Sequence, residues 1–145
     1  MNKNRLNDIR RINYLTSETD ALYHLASVKL GISDSVSIVL YTLYDPDKSC
    51  LLSDIYKKSG VSKQTVNSAL RKLEKDGILQ LSNHSGKSKK VTLTEKGVAF
   101  AEKTGAKLLA AEIRALEDWS SDEINTYIAL TEKYLECFGK QVREL

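Results

Sequence analysis

The chain has 145 residues, 41% of them hydrophobic and 28% charged, with a formal net charge of +3 at pH 7. That length suits one domain able to bury about 68–70% of its unfolded surface, while a single Pro and seven Gly argue against a loop-rich β fold and for long helices. No apolar run approaches the ~20 residues of a membrane span, and residues 1–11 are polar and charged, without the apolar segment of a secretory signal. The expectation is a cytoplasmic protein that does not meet a membrane.

Leu6, Ile9, Ile12 and Leu15, then Leu22, Leu25 and Val28, recur at near-helical spacing. They predict a long helix over about 4–30, stopped by Gly31. Asp34 or Ser35 is expected to cap a second helix running to Tyr44. Asp45-Pro46-Asp47-Lys48 is a turn by composition, and Asp45 and Asp47 read as solvated turn residues rather than cation ligands. Residues 50–52 read as a short strand. Ser53 is expected to cap a helix over 54–59, and Gly60 to supply a tight turn with positive φ. Ser62 then caps a helix over 63–76, which Gly77 ends. Residues 78–81 and 91–93 are short strands around a polar loop, a hairpin by pattern. Thr94 caps a helix expected to run unbroken over about 95–118 on Val98, Ala101, Leu108, Leu109, Ile113 and Leu116. Ser120 and Glu123 have capping-box spacing ahead of a last helix over about 121–138. Its stripe of Ile124, Tyr127, Ile128, Thr131, Tyr134, Leu135 and Phe138 follows i, i+3, i+4, i+7.

Residues 51–97 hold ten Lys or Arg and four Asp or Glu, a net +6 against +3 for the whole chain, so the remainder is −3. Such asymmetry suits one face for a polyanion, because neutralised phosphates supply most of non-specific DNA affinity. Within the helix over 63–76, Val66, Ala69, Leu70 and Leu73 form one face. With Leu52, Ile55, Tyr56, Val61 and Ile78 they can build a small core that fixes the angle to the preceding helix. The other face carries Gln64, Ser68, Arg71 and Lys75 along one line at i, i+4, i+7, i+11. Gln and Asn suit adenine, Arg suits guanine, and Ser or Thr suits bases or phosphates. The N-terminal part of such a helix meets base edges, so Ser62, Lys63, Gln64, Thr65, Asn67 and Ser68 are expected in a major groove, with Arg71 and Lys72 nearer the backbone. The basic loop 82–90, with Lys87, Lys89 and Lys90, suits a minor groove. His84 within it reads as an exposed polar residue.

A helix, a glycine turn, a second helix and a basic hairpin make a winged helix-turn-helix. The run GVSKQTVNSALRKLEKDGIL, then the hairpin, then VTLTEKG, with a long helix before and two after, resembles the multiple-antibiotic-resistance regulator (MarR) family along essentially the whole chain. The resemblance implies a mainly α fold with a small β hairpin. One MarR-like domain would span 1–145, with its winged DNA-binding part at 32–97 and a helical dimerisation part at 1–31 and 98–145. It also implies a homodimer on a pseudo-palindromic operator in double-stranded DNA, usually as a repressor, and often released by an amphipathic small-molecule effector or by cysteine oxidation. One departure stands out. The family's wing usually has Asp-x-Arg, and the matching positions here are Ser85 and Lys87. Lys keeps the charge without the planar fork, which implies a softer minor-groove contact shared with Lys89 and Lys90.

The apolar stripes of the first helix and the last two read as the dimer surface, which would set two recognition helices about 34 Å apart. An effector pocket would lie between those helices and the winged part, with Tyr14, Tyr23, His24, Tyr41 and Tyr44 as candidate lining residues, each of which also suits plain core or surface. Cys50 and Cys137 form no CxxC or Cys/His cluster. They read as small buried or half-buried residues, a redox-sensing thiol being the alternative. There is no GxSxG, phosphate loop or HExxH, so no catalytic residue, metal or cofactor is expected. The competing reading is a winged-helix module that binds an acidic protein partner and not DNA.

Overall fold

The structure, a computed structural model, describes residues 3–44 and 47–145. Asp45 and Pro46 of the expected turn lie outside them. The chain is mainly helical with one small sheet, in the order α1 (Lys3–Leu30), α2 (Asp34–Leu43), β1 (Ser49–Leu51), α3 (Leu52–Ser59), α4 (Lys63–Lys75), β2 (Leu79–Asn83), β3 (Lys89–Leu93), α5 (Glu95–Lys103), α6 (Gly105–Ala115) and α7 (Ser121–Arg143). It forms two compact units, Met1–Leu109 and Ala110–Leu145. Among the described residues no single helix is long and apolar enough to cross a membrane.

In the first unit, α2, α3, α4 and the sheet enclose one core. Val39, Leu40, Leu43, Ile55, Val66, Leu79 and Val91 are almost wholly buried, and each contributes roughly 1.5–3 kcal/mol on leaving water. Leu52, Tyr56 and Val61 pack on it half-buried. The sequence pattern places α4, Ile55 and Ile78 correctly in this core. It leaves out α2, although Val36, Val39, Leu40 and Leu43 follow one another at i, i+3, i+4 and i+7 and are all buried. The sheet is antiparallel in the order β1-β3-β2. Val91 pairs with Cys50 on one side and Leu81 on the other, which fixes its inward face.

The structure corrects several local expectations. Ser33, not Asp34 or Ser35, caps α2: its hydroxyl accepts from the Val36 amide at 3.3 Å. Ser53 is no cap, since α3 already begins at Leu52 behind Leu51, which makes no side-chain cap bond. Lys89 and Lys90 belong to β3 rather than to a loop, because pairing with Asn83, Ser82 and Leu51 extends the ladder past the apolar residues. The helix expected over 95–118 is broken at Thr104 (φ −126°, ψ −88°). There the Thr104 hydroxyl donates to the Phe100 carbonyl at 2.8 Å, and its amide turns to Ala101. The same hydroxyl bond to the fourth residue back leaves α1 continuous at Thr16 and Thr19, so it marks the break without accounting for it, and apolar periodicity carries no trace of the break.

The second unit holds the end of α6, and α7. Ser120 and Glu123 form the expected reciprocal capping box, and α7 runs on past the predicted end to Arg143. No residue of α7 is buried. Cys137 lies exposed on it, correcting the expectation of burial, whereas Cys50 in β1 is half-buried as expected.

Candidate nucleic-acid interface

The geometry of the candidate site begins at the turn between α3 and α4. Gly60 sits at φ 67°, ψ 5°, a left-handed conformation that costs a residue with a side chain and leaves glycine unstrained. The chain then reverses into Ser62, whose hydroxyl accepts from the Thr65 amide at 3.2 Å and fixes where α4 starts. With Val66, Ala69, Leu70 and Leu73 buried, about 100° per residue puts Gln64, Ser68, Arg71 and Lys75 diametrically opposite. All four are exposed or half-exposed on that side. A rigid helix end thus presents an amide, a hydroxyl, a guanidinium and an ammonium along one outward line.

The other nominated residues of α4 flank that line. Ser62 and Thr65 are engaged with each other, hydroxyl to hydroxyl at 2.9 Å. Asn67 lies on the α3 side, where the Tyr56 hydroxyl donates to its Oδ1 at 2.6 Å. Lys63 holds its ammonium 5.4 Å from the centre of the same Tyr56 ring, a cation–π contact. Lys72 turns to the opposite flank, into a cleft of about 370 Å³ that it lines with Ser33, Val36, Asp76, Lys96 and Phe100. Sequence reasoning used Tyr56 only as a core residue and missed its hydroxyl. The available signal was that a half-buried tyrosine needs a partner for its O–H.

The wing is β2, β3 and the turn between them. The His84 amide donates to the Ser88 carbonyl and the Ser88 amide to the Ser85 carbonyl, each at 2.9 Å, with Gly86 at φ 53°. Lys87 is therefore at the very tip, and His84 is exposed as expected. Lys89 and Lys90 do not join it as a cluster. Successive strand residues point to opposite faces. Lys90 shares a face with its partners Ser82 and Leu51 and is half-buried, while Lys89, opposite Asn83, is exposed on the other face.

The Leu93-Thr94-x-x-Gly97 segment anchors the wing. Thr94 caps α5 through the Gly97 amide at 3.0 Å and donates to the Gly77 carbonyl at 2.6 Å. Gly97 lies so close to the Ile78 carbonyl that a Cβ there would overlap it. Lys96 reaches the Asp76 carbonyl at 2.7 Å. The end of α4 and the start of α5 are thereby tied to each other, which holds the wing at a fixed place beside the helix.

The five candidate ligand residues lie on α1, α2 and the end of α2, none of them in the lining of the cleft beside Lys72. Tyr14, Tyr23 and Tyr41 are exposed. Tyr14 carries the Arg11 guanidinium over its ring, and Tyr44 carries the Lys48 ammonium 3.7 Å from its ring centre. His24 Nδ1 is 2.8 Å from Asp34 Oδ2, joining α1 to the start of α2. That hydrogen bond, with a second from Ser27, holds the Asp34 carboxyl below its ordinary value. Tyr14 is nine residues from Tyr23 along α1, roughly 14 Å at 1.5 Å per residue, so the two do not line one small pocket within a single chain. Among the described residues no three His, Cys, Asp or Glu side chains group as a metal site would require.

The model of the MarR family matches residues 30–88, which includes α2, the helix-turn-helix and the first strand of the wing. A MarR family regulator from Neisseria meningitidis superposes with a TM-score of 0.80 at 21% identity, covering 99% of each chain. A MarR/EmrR family transcriptional regulator from Acinetobacter superposes with a TM-score of 0.71 at 22% identity over the whole of both chains. A Bordetella bronchiseptica protein whose DNA binding is regulated by 6-hydroxynicotinic acid gives a TM-score of 0.63 at 19% identity, over 85% of this chain and 97% of that one. At these identities the likeness is one of fold. No curated protein matches by sequence.

Proposed function

We propose that this chain, whose residues 30–88 match the model of the MarR family and which has the fold of MarR regulators of known structure, is a DNA-binding transcriptional regulator that reads duplex DNA with α4. The observation that carries the reading is the outward line of Gln64, Ser68, Arg71 and Lys75 directly opposite the buried stripe of the same helix. Gln64 and Ser68 near the start of α4 meet base edges. Arg71 reaches a guanine or a phosphate, and Lys75 a phosphate. Ser62, Lys63, Thr65 and Asn67 border the same groove, and Lys72 meets the backbone at its edge. Lys87 at the wing tip enters or crosses the neighbouring minor groove, with Lys89 and Lys90 as phosphate contacts on separate faces of β3.

The working form is a homodimer in the cytoplasm, acting on an inverted repeat as a repressor. Large apolar side chains exposed on α1, such as Leu22 and Val28, and on α7, such as Leu130 and Leu135, support the dimer, because exposed apolar surface of that kind marks association sites. A two-fold dimer sets its recognition helices about 34 Å apart, one turn of DNA. A small-molecule effector would release the DNA by preferring a dimer in which that spacing is wrong. The Bordetella bronchiseptica relative makes an aromatic carboxylate a sensible first compound to test. Nothing in this assignment asks for catalysis or a cofactor.

Selection of bound duplexes from a random pool at about 150 mM salt, near physiological screening, tests the reading, with Arg71→Ala and Lys87→Ala run beside the wild type. The wild type is expected to enrich an inverted repeat. Arg71→Ala is expected to lose it, by about 1–3 kcal/mol per half-site, and Lys87→Ala to weaken binding less and with less effect on sequence. Weak retention without sequence preference, equal for all three proteins, would overturn the reading in favour of an acidic protein partner.

A further inference from the structure

The two helices of the turn are joined by a polar contact as well as by their shared core. Tyr56 on α3 packs half-buried against that core, and its hydroxyl crosses to α4, donating to Asn67 Oδ1 at 2.6 Å. The same ring lies under the Lys63 ammonium. One aromatic side chain therefore touches both polar residues on the α3 side of α4. Asn67 is three residues after Gln64, about 60° from it around the helix, so it borders the outward line and its amide can face the same groove.

An asparagine amide has a donating end and an accepting end. Turning freely, it meets adenine with both, accepting from the N6 amino group and donating to N7. The Tyr56 bond takes one of the two lone pairs of Oδ1 and restrains the turning of the amide. It draws Oδ1 toward α3 and leaves Nδ2, with its two N–H donors, as the end directed away. Lys63, held beside it, has donors only. With Oδ1 held toward Tyr56, the α3 side of α4 offers the groove mainly donors. Facing that side, the N6 amino group of adenine would meet mainly donors, which costs binding. Guanine, with acceptors at both N7 and O6, satisfies it.

We propose that Tyr56 is a specificity-positioning residue: by fixing the Asn67 amide with its donors outward, it makes one base position in each half-site read as guanine and reject adenine. This rests on the DNA-reading role of α4 proposed above. Tyr56 itself touches no base. It acts through Asn67, and through Lys63 by way of its ring.

Tyr56→Phe separates the hydroxyl from everything else the residue does, since the ring, its core packing and the Lys63 contact all remain. Sequences selected by the wild type and by Tyr56→Phe are compared position by position. The expected result is a change at a single position per half-site, where adenine, selected against roughly tenfold in the wild type, becomes as acceptable as guanine. The other positions and the salt dependence stay as they were. Asn67→Ala must lose discrimination at that same position, and this second variant decides the matter should Tyr56→Phe fold poorly. Identical base preferences in wild type and Tyr56→Phe, or a change that falls at a position Asn67→Ala does not affect, would overturn the assignment while leaving α4 a reader. A wild type with no sequence preference would overturn both.

Discussion

In the winged module, the apolar stripes of α2, α3 and α4 meet one another and the sheet, and Leu40, Ile55 and Val66 are left with essentially no exposure. In α7 an equally regular stripe is open: Tyr127 is 62% exposed, Leu130 61%, Leu135 71% and Phe138 54%. Both helices are amphipathic, so pattern alone does not separate them. A 3.6-residue period states that a face will be covered without saying by what. In α4 the cover comes from the same chain. In α7 no residue is buried, which is the physical ground for proposing a second copy as its cover.

That contrast can be tested at either end. Leu40→Ala empties a fully packed site and should cost about 2–5 kcal/mol, seen as a fall in the urea midpoint that is the same at every protein concentration. Leu135→Asp should do the reverse. It should leave the folding of the winged module alone and raise the dissociation constant for self-association about 10–100-fold, the equivalent of one or two apolar side chains no longer buried, as read by sedimentation equilibrium. Unchanged self-association in Leu135→Asp would remove α7 from the proposed dimer surface.

The smallest effect is a pH-dependent one within the first unit. The Asp34 carboxyl is depressed by its hydrogen bonds to His24 and Ser27. A depressed carboxyl contributes stability above its unfolded value, near 3.9, and loses it as pH falls through the folded value. Both side chains of the His24–Asp34 pair are more than half exposed, so the contribution is under about 1 kcal/mol. Asp34→Asn should therefore unfold slightly earlier in urea at pH 7, and the gap to the wild type should close as pH falls through the lowered folded-state value of the carboxyl. A gap that widens in acid would reverse this assignment.

Most of the winged architecture was legible because its signals are local. Ser62, Gly60, Gly77, Thr94 and the Ser120–Glu123 box each act on neighbours in the chain, and each does at its position what its residue type leads one to expect. What stayed unread depends on distant partners. Lys90 becomes a strand residue only because Leu51 and Ser82 pair with it. The break at Thr104 has no such local signal, since the hydroxyl bond it makes to the fourth residue back also occurs inside the unbroken α1 and α7. The outward line of Gln64, Ser68, Arg71 and Lys75 follows from periodicity. The orientation of Asn67 does not, since it is set from across the turn by Tyr56. The five candidate ligand residues were chosen by residue type on helices α1 and α2, and type alone says nothing of a shared cavity.

If the outward face of α4 reads base sequence, and does more than attract phosphates, an uncharged residue on it must matter for one duplex and not for another. Gln64 is that residue. The decisive experiment compares the affinity of the wild type and Gln64→Ala for a selected operator and for a scrambled duplex of the same length, across a salt series. A loss of roughly tenfold or more is expected on the operator, with scrambled-duplex binding and the salt slope unchanged. Equal affinities of the two proteins for the operator, or an equal loss on both duplexes, would show that α4 attracts DNA without reading it.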